Sequence, residues 1–344
     1  MERSNDFDSL VAAANADLDD PERNRVMLGS TGDRPRFELY HAGLSICSQK
    51  VRAVLAEKNT PYLSHEMVIL ASGGIYSDDF KPAENYRPSF VRLRLAGGAH
   101  LTPNLAAAHT GRSSVETEGF DPCVVPVLAD HETEKILVDS KVICEHIDQA
   151  LPTSDPLIPD QPALAEQVER QVRIVDQTPH PGVLYGFHPD DDRRPDFIKV
   201  VMADVYDNKC HALSQLIEQN REDADLVRAY ESKMAKEKAG KARARDAGTQ
   251  HAVRAEFTAL IEELDETLGA SEGDWICGER YTLADLMWGI SLYRMQWLGL
   301  GHLWDERPKV GAYASRAYKR PSVWDAVIKW PSPMPPSPHT SDIH

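Results

Sequence analysis

The chain has 344 residues, of which 42% are hydrophobic and 27% are charged, a balance typical of globular domains. At this length we expect two domains, with cores large enough to need no disulfide or metal for stability. Acidic residues outnumber basic ones by 54 to 38, and the net charge of −16 argues against nucleic acid or an anionic membrane surface as a partner.

The five cysteines, Cys47, Cys123, Cys144, Cys210 and Cys277, are odd in number and form no CxxC motif. This pattern argues against a disulfide framework and a zinc site, and it favours a reducing compartment. No HExxH motif is present, and we predict no metal. Because no signal peptide and no run of about 18 apolar residues is visible, we expect a cytoplasmic protein without a membrane span.

Both ends of the chain differ in composition from the middle. Residues 1–34 are polar and predict a flexible arm, with a short helix near "FDSLVAAANADL". Residues 331–344, "PSPMPPSPHTSDIH", are rich in proline and predict an extended or disordered tail.

A first domain is predicted over residues 35–152. "RFELYH" alternates as a strand does, "SQKVRAVLAEKN" has apolar residues at helical spacing, and "YLSHEMVIL" suits a second strand, which together predict a βαβ unit. "VVPVLADHETEKILVD" predicts a hairpin and "SKVICEHIDQAL" a further helix. Residues 71–121, rich in Gly, Ala, Pro and Ser, predict an insertion between the two halves. The order βαβ, insertion, ββα predicts a thioredoxin-like α/β domain.

A second, all-α-helical domain is predicted over residues 162–330, where amphipathic patterns follow a linker rich in Pro and Asp. Its charge run at 231–248 predicts a solvated helix face or a flexible bulge. Thr282 and Asp285 in "RYTLADLMWG" have capping-box spacing, which predicts the start of a buried helix and a structural role.

Cys47 is the first candidate for chemistry, because it lies in the loop between the first strand and its helix, flanked by Ser45 and Ser48. A helix N-terminus favours the thiolate, which is the nucleophilic form, and Lys50 and Arg52 add positive charge nearby. A small buried hydrophobic residue is the structural alternative for the cysteine. Each serine fits either a helix N-cap or a hydroxyl that donates to a bound thiolate.

Two further segments have the composition of ligand sites. Pro126 in "VVPVL" predicts a cis peptide bond that would turn the backbone of Val125 toward a peptide-like ligand, or else an ordinary edge-strand proline. Asp139 and Ser140 open a helix, where they could bind an anionic group, cap the helix, or do both. His180 could face a cleft between the domains, although a lone histidine is more often structural.

Taken together, these residues resemble the glutathione S-transferase superfamily. That family pairs a thioredoxin-like domain with a helical one, and has a "VP" strand start, an acidic-Ser pair at the next helix and a late capping box. Within it, "SICSQKVR" resembles the active-site segment of glutathione-dependent reductive dehalogenases of chlorinated hydroquinones. "VVPVLADHETEKILVDSKVIC", "DQTPHPGVLYG" and "TLADLMWGISLYRMQWLG" extend this narrower resemblance over most of the chain.

The resemblance implies that glutathione is a co-substrate and a chlorinated aromatic the substrate. Cys47 would be the nucleophile of thiol–disulfide exchange, and Ser45 would orient the glutathione thiolate. Glutathione would be bound through the residues Val125, Pro126, Asp139 and Ser140. Candidate residues for the aromatic substrate are His180, Tyr185, Arg294 and Trp297.

Three alternatives stay open from the sequence. A zeta-class isomerase of maleyl diketo acids shares a similar serine and cysteine motif, but it needs no exchange by the cysteine. A β-aryl etherase suits the "SKVICEHID" helix, although its active-site motif fits less well. A non-catalytic binding protein on the same fold is the third alternative, since fold does not determine function. The resemblance to the glutathione S-transferase superfamily also implies a homodimer.

Overall fold

The computed structural model of the protein describes residues 7–18, 21–30, 32, 34–70, 81–151, 155–332 and 334–344. A five-stranded mixed sheet forms the first part of the molecule, in the order β1-β3-β2-β4-β5. Strands β2 and β3 are parallel, and every other neighbouring pair is antiparallel. The strands are β1 Asn24–Met27, β2 Phe37–His41, β3 Tyr62–Glu66, β4 Val127–Asp130 and β5 Lys135–Val138.

Helices cover the sheet and form the second part of the molecule. They are α1 Phe7–Ala16, α2 Ile46–Glu57, α3 Pro88–Gly97, α4 Val115–Glu118, α5 Ser140–Ala150, α6 Pro162–Asp176, α7 His180–Tyr185, α8 Asp196–Ala203, α9 Val205–Gln219, α10 Ala224–Ala244, α11 Ala247–Ala270, α12 Leu283–Trp297, α13 Pro308–Tyr318 and α14 Pro321–Val323. A π-helical turn, Trp324–Ile328, follows α14, and short 3₁₀ turns lie at Pro21–Arg23, Glu84–Tyr86, Ala99–Asn104, Gly301–Trp304 and Pro338–Thr340. The predicted α/β domain followed by a helical domain is confirmed.

The local signals around α2 act as predicted. The side chain of Ser45 caps the helix by accepting the backbone N–H of Ser48, at 3.3 Å. Val51 and Val54 are fully buried in the core. Asn59 adopts a left-handed φ of 45°, which turns the chain toward β3.

The expectation of a flexible N-terminal arm is wrong for the described residues before position 35, although the short helix is confirmed. Phe7, Val11 and Ala14 share one face of α1 and are buried against the sheet and α3. Strand β1 extends the sheet by pairing with β3. The apolar spacing of three and four residues gives α1 a face that packs, which outweighs the polar composition of the segment as a whole.

The segment predicted as an insertion supplies part of the fold. Residues 71–80 lie outside the described part of the chain. Helix α3 packs against α1 and β5, with Phe90 and Leu93 buried. Gly97 allows this close approach, because a Cβ there would lie 2.7 Å from Cγ2 of Ile136. Of the described residues in this segment, the stretch after α3, up to residue 121, lies beyond the elements of a thioredoxin-like domain.

Helix α12 is the centre of the helical part, with nearly every residue buried. Its predicted capping box is present. The carboxylate of Asp285 accepts the backbone N–H of Thr282 at 2.9 Å, and the side chain of Thr282 accepts the backbone N–H of Asp285. Among the described residues no helix is both long and apolar enough to cross a membrane.

The expectation of a solvated helix face at 231–248 holds except where charged side chains turn inward. The run covers the second half of α10 and continues past its end, mostly exposed, but Lys233 and Glu237 are buried within it. The described residues of the tail, predicted to be extended or disordered, dock on the core, where Ser337 donates to the carbonyl of Trp297 at 2.7 Å and Met334 and Ile343 pack against apolar side chains.

Candidate active site

A cavity of about 180 Å³ opens between the two parts of the molecule. The sheet domain contributes the N-terminus of α2, the loop before β4 and the N-terminus of α5. The helical domain contributes α7, α9, α10 and α12. Nine of the ten residues predicted from the sequence line this cavity: Ser45, Cys47, Val125, Pro126, Asp139, Ser140, His180, Tyr185 and Arg294.

Cys47 is the second residue of α2 and is partly exposed to the cavity. Its thiol donates a hydrogen bond to the hydroxyl of Ser113, with a sulfur–oxygen distance of 3.4 Å. Lys50, Arg94 and Arg294 are all close enough to interact electrostatically with a charge on Cys47. An anionic sulfur here would face three cations in addition to the positive end of the helix dipole.

Lys50 lies one turn after Cys47 and forms a buried ion pair with Asp176 on α6, at 2.8 Å. Burial opposes the charged form of the lysine, but Asp176 raises the pKa of Lys50 above its usual value. The pair fixes the first turns of α2 against the helical domain.

The peptide bond between Val125 and Pro126 is cis, as predicted. The guanidinium of Arg94 supports this loop by donating to the carbonyl of Pro126 and to that of Asp121, both at 2.7 Å. Burial lowers the pKa of Arg94. The arginine therefore rigidifies the segment that presents Val125 to the cavity.

Asp139 caps α5 from a left-handed backbone conformation, with φ at 75°. Its carboxylate accepts the backbone N–H groups of Lys141 at 2.8 Å and of Val115 at 3.4 Å. Burial raises the pKa of Asp139, and the charge of Asp176 raises it further. Ser140, the first residue of the helix, is buried beside it. The capping role is thus present, in a position that also faces the cavity.

His180 and Arg294 are held by polar contacts inside the helical domain. Nε2 of His180 contacts the hydroxyl of Ser291 at 2.8 Å, and burial lowers the pKa of this imidazole well below its usual value. Arg294 donates to the carbonyl of Leu44 and, at 3.1 Å, to Oε1 of Gln49. Burial lowers the pKa of Arg294 to about 10. Arg294 therefore fixes the loop that precedes Cys47.

Trp297 does not line the cavity, which corrects the prediction for this residue. It lies in a second cavity formed with the C-terminal segment, beside Trp330 and Ser337. This position could not be predicted from the sequence, because the C-terminal tail that covers Trp297 shows no apolar pattern that would indicate packing.

The opposite wall of the cavity is charged, and the sequence analysis missed it. Lys233 of α10 donates to Asp121 at 2.7 Å and pairs with Glu237 at 2.9 Å. Lys209 of α9 reaches Glu237 at 3.2 Å, and Lys236 reaches Asp121 at 3.2 Å. A signal was available in the sequence, since the two buried charges of α10 continue the spacing of its apolar face: Leu226, Tyr230, Lys233, Glu237, Gly240 and Ala244.

Three side chains in the described part of the chain could meet around a metal ion, namely His188, Asp190 and His251. Asp190 accepts from Nε2 of His251 at 2.7 Å. None of the three lines the cavity around Cys47. Their separation in sequence explains why spacing alone did not indicate them.

Comparison with known families agrees with this architecture. Residues 44–150 match the glutathione S-transferase N-terminal domain, and residues 223–321 match the glutathione S-transferase C-terminal domain. The chain belongs to the glutathione S-transferase family. Its cavity therefore lies where a glutathione S-transferase joins its two domains.

One relative in this family is similar over most of its length. The 2,5-dichlorohydroquinone reductive dechlorinase of Sphingobium indicum is 43% identical over 306 residues, which cover 88% of this chain and 85% of that protein. Two solved structures share the fold at low identity. The β-etherase LigF from Sphingobium sp. strain SYK-6 is 18% identical with a TM-score of 0.53, over 86% of this chain and 99% of that one. FzlA from C. crescentus is 16% identical with a TM-score of 0.52, over 90% and 99%.

Proposed function

We propose that this glutathione S-transferase is a glutathione-dependent reductive dehalogenase of chlorinated hydroquinones. The observation that carries the proposal is a cysteine, Cys47, at the helix N-terminus that opens into the cavity, in a chain 43% identical to a dechlorinase of this substrate class. The reaction consumes reduced glutathione, so it suits the reducing cytosol expected from the cysteine pattern.

Glutathione would occupy the side of the cavity formed by the sheet domain. The backbone of Val125, presented by the cis bond to Pro126, would pair with the cysteinyl unit as an added strand does. Asp139 and Ser140, at the N-terminus of α5, would hold the γ-glutamyl end. Ser45 would orient the glutathione sulfur next to Cys47.

In the first half of the reaction, the hydroquinone converts to its ketonic tautomer as one hydroxyl proton moves to a ring carbon. The glutathione thiolate then forms a bond to the carbon that bears chlorine. Chloride leaves with the electron pair of the broken carbon–chlorine bond. Rearomatisation gives the glutathionyl hydroquinone.

In the second half, the thiolate of Cys47 attacks the sulfur of this conjugate. The ring carbon keeps the electron pair of its bond to sulfur and takes up a proton, so the ring is reduced and Cys47 is oxidised to a mixed disulfide. A second glutathione thiolate attacks this disulfide, which releases oxidised glutathione and restores Cys47. One protein thiol suffices, because glutathione supplies the second sulfur that a CxxC motif would provide.

Anaerobic incubation with glutathione and 2,5-dichlorohydroquinone tests the proposal. Each chlorine removed should give one chloride, one oxidised glutathione and one dechlorinated ring. Cys47→Ser should release chloride but accumulate the glutathionyl conjugate, without oxidised glutathione. Cys210→Ser is the matched control, since Cys210 is also a partly exposed thiol but lies outside the cavity.

Two results would contradict the proposal. Absence of chloride with the unaltered protein would remove the dehalogenase reaction. Isomerisation of a maleyl diketo acid that persists in Cys47→Ser would then point to a zeta-class isomerase. Chloride and oxidised glutathione at equal rates in Cys47→Ser would remove the cysteine from the mechanism.

A further inference from the structure

The charged wall opposite Cys47 is a network of alternating ion pairs. From one end to the other it runs through Lys209, Glu237, Lys233, Asp121 and Lys236. Four of these side chains are buried, and all five face the cavity. Burying ion pairs gives little stability compared with apolar packing. The network therefore suggests a function in the cavity that it lines.

Unsatisfied polar atoms around the same cavity indicate that it holds a polar ligand. Within the described residues, Oδ1 of Asn85, the hydroxyl of Tyr86, Nδ1 of His109 and Nδ1 of His180 are buried and have no hydrogen-bond partner. All four residues line the cavity. A buried polar atom without a partner costs about 1–3 kcal/mol, so a ligand that supplies partners recovers this free energy.

Lys209 lies at the end of the network, between two aromatic rings. Its Nζ lies 4.5 Å from the ring centre of Tyr185 and 5.6 Å from that of Tyr206. The same atom is 3.4 Å from the hydroxyl of Tyr185, at the long end of hydrogen-bond distances. Glu237 is also paired with Lys233, at 2.9 Å, so it keeps a counterion when Lys209 contacts a ligand. The ammonium of Lys209 can thus donate to a ligand without leaving a carboxylate unpaired.

We propose that Lys209 and the ring of Tyr185 form the subsite for a ring hydroxyl of the aromatic substrate, with Lys209 donating a hydrogen bond to its oxygen. This inference rests on the proposed function, which it deepens by assigning the residue that recognises the diol. The flat ring of Tyr185 contacts the aromatic face, as aromatic pairs do. The ammonium stabilises the negative charge that develops on oxygen while the hydroxyl proton moves to carbon during tautomerisation.

Binding without glutathione tests the subsite apart from catalysis. The probes are 2,5-dichlorohydroquinone and 1,4-dichlorobenzene, which has the same ring and chlorines but no oxygen. Anaerobic titration calorimetry should show the diol binding at least about tenfold more tightly than dichlorobenzene, the difference expected of a hydrogen bond to a charged donor. Lys209→Met should weaken diol binding by about tenfold or more and leave dichlorobenzene binding unchanged.

Dichlorobenzene is also the control for folding, because a variant that binds it normally has kept its cavity. Lys209→Gln, a neutral donor of similar length, gives a second and milder variant that should lose part of the discrimination. Lys238→Met removes an exposed lysine from α10 and should change neither affinity. Equal affinity of the unaltered protein for the two probes, or diol discrimination retained in both Lys209 variants, would overturn the subsite.

Failure of the subsite differs from failure of the proposed function. If the unaltered protein releases chloride but Lys209→Met binds the diol normally, the dehalogenase stands and the subsite is wrong. If the protein discriminates the diol through Lys209 but releases no chloride, the subsite stands as a diol-binding site and the reaction is wrong.

Discussion

The thiol of Cys47 and the hydroxyl of Ser113 form a hydrogen bond 3.4 Å long between residues 66 positions apart in the chain. Ser113 belongs to the stretch that follows α3, which is the part of the predicted insertion that lies outside the thioredoxin-like elements. This stretch is anchored on the helical domain as well, since Arg112 pairs with Glu256 and the carbonyl of Gly111 accepts the N–H of Gly182 at 3.1 Å. The insertion thus brings a hydroxyl to the reactive sulfur and holds it there from both domains.

Ser113→Ala should slow the exchange step selectively. A hydroxyl that accepts from the thiol can rotate and donate to the thiolate, and loss of a hydrogen bond to a charged group costs about 1.5–3 kcal/mol. We expect oxidised glutathione to form about tenfold more slowly or worse, while chloride release keeps its rate and the conjugate accumulates. Ser113→Thr retains the hydroxyl and should recover most of the rate. Equal slowing of chloride and oxidised glutathione by Ser113→Ala would show that the serine does not act on Cys47.

Breaking the ion pair between Lys50 and Asp176 should destabilise the fold strongly. Both side chains are buried, so Lys50→Met leaves an uncompensated carboxylate, at a cost of about 3–5 kcal/mol in the free energy of unfolding. Adding Asp176→Leu should restore much of that loss. The exposed pair of Arg173 and Glu169 on the same helix, α6, is the matched control, and its removal should cost about 0.5 kcal/mol or less.

Urea unfolding of the single and double variants measures these values as a double-mutant cycle. A cost for Lys50→Met no larger than that of the surface pair would show that water reaches Asp176. The ion pair between Lys50 and Asp176 would then contribute little to holding α2 against the helical domain.

Local sequence signals predicted the elements that place Cys47, because each depends on nearby residues. The apolar spacing in α2, the cap at Ser45 and the alternation in β4 and β5 act over a few positions. The capping box at the start of α12 is equally local. These local signals, together with the family resemblance, were enough to predict the sheet domain and ten candidate site residues, of which nine line the cavity.

The spacing along α10 places Lys233 and Glu237 on its buried face, but three of the four ion pairs in the charged wall join residues that are distant in sequence. Lys233 is buried because Asp121, 112 positions earlier, and Glu237 both neutralise it. Without such partners, a run such as "KMAKEK" is better solvated than buried, which is why its sequence predicts a solvated helix face. The same applies to Trp297, whose surroundings are set by a tail that docks from 40 positions later.

The N-terminal helix should contribute measurably to stability, and adjacent alanines test this. Ala14 is buried against the sheet domain and Ala13 is exposed on the opposite face of α1. Ala14→Asp places an unpaired charge in an apolar contact and should destabilise the protein by about 2 kcal/mol or more. Ala13→Asp has the same loss of helix propensity without the buried charge, so it should cost only about 1 kcal/mol or less. Equal urea midpoints for the two variants would contradict packing of α1 on the sheet.

Glu38 should make the stability of this N-terminal region depend on pH. Its carboxylate accepts from Asn15 of α1 and from His65 of β3, both at 3.1 Å, and from His131 at 3.0 Å. Burial alone would raise the pKa of Glu38, but the hydrogen bonds from His65 and Asn15 lower it to about 2. A carboxyl group whose pKa is lower in the folded protein stabilises the fold above its unfolded pKa. That stabilisation is lost as the pH falls from 4.5 toward 2.

Comparison with Glu38→Gln isolates this contribution from the other acidic groups of the chain. At pH 6 the variant should be less stable, by an amount on the order of 2 kcal/mol. At pH 2.5 most of the difference should disappear, because Glu38 is then neutral in the unfolded state and the folded protein must release a proton to keep the charged form. Glu169→Gln, at a half-exposed position, should differ little from the unaltered protein at either pH. A destabilisation by Glu38→Gln that is the same at pH 6 and pH 2.5 would mean that the glutamate acts through packing, and that its charge does not hold α1 to the sheet.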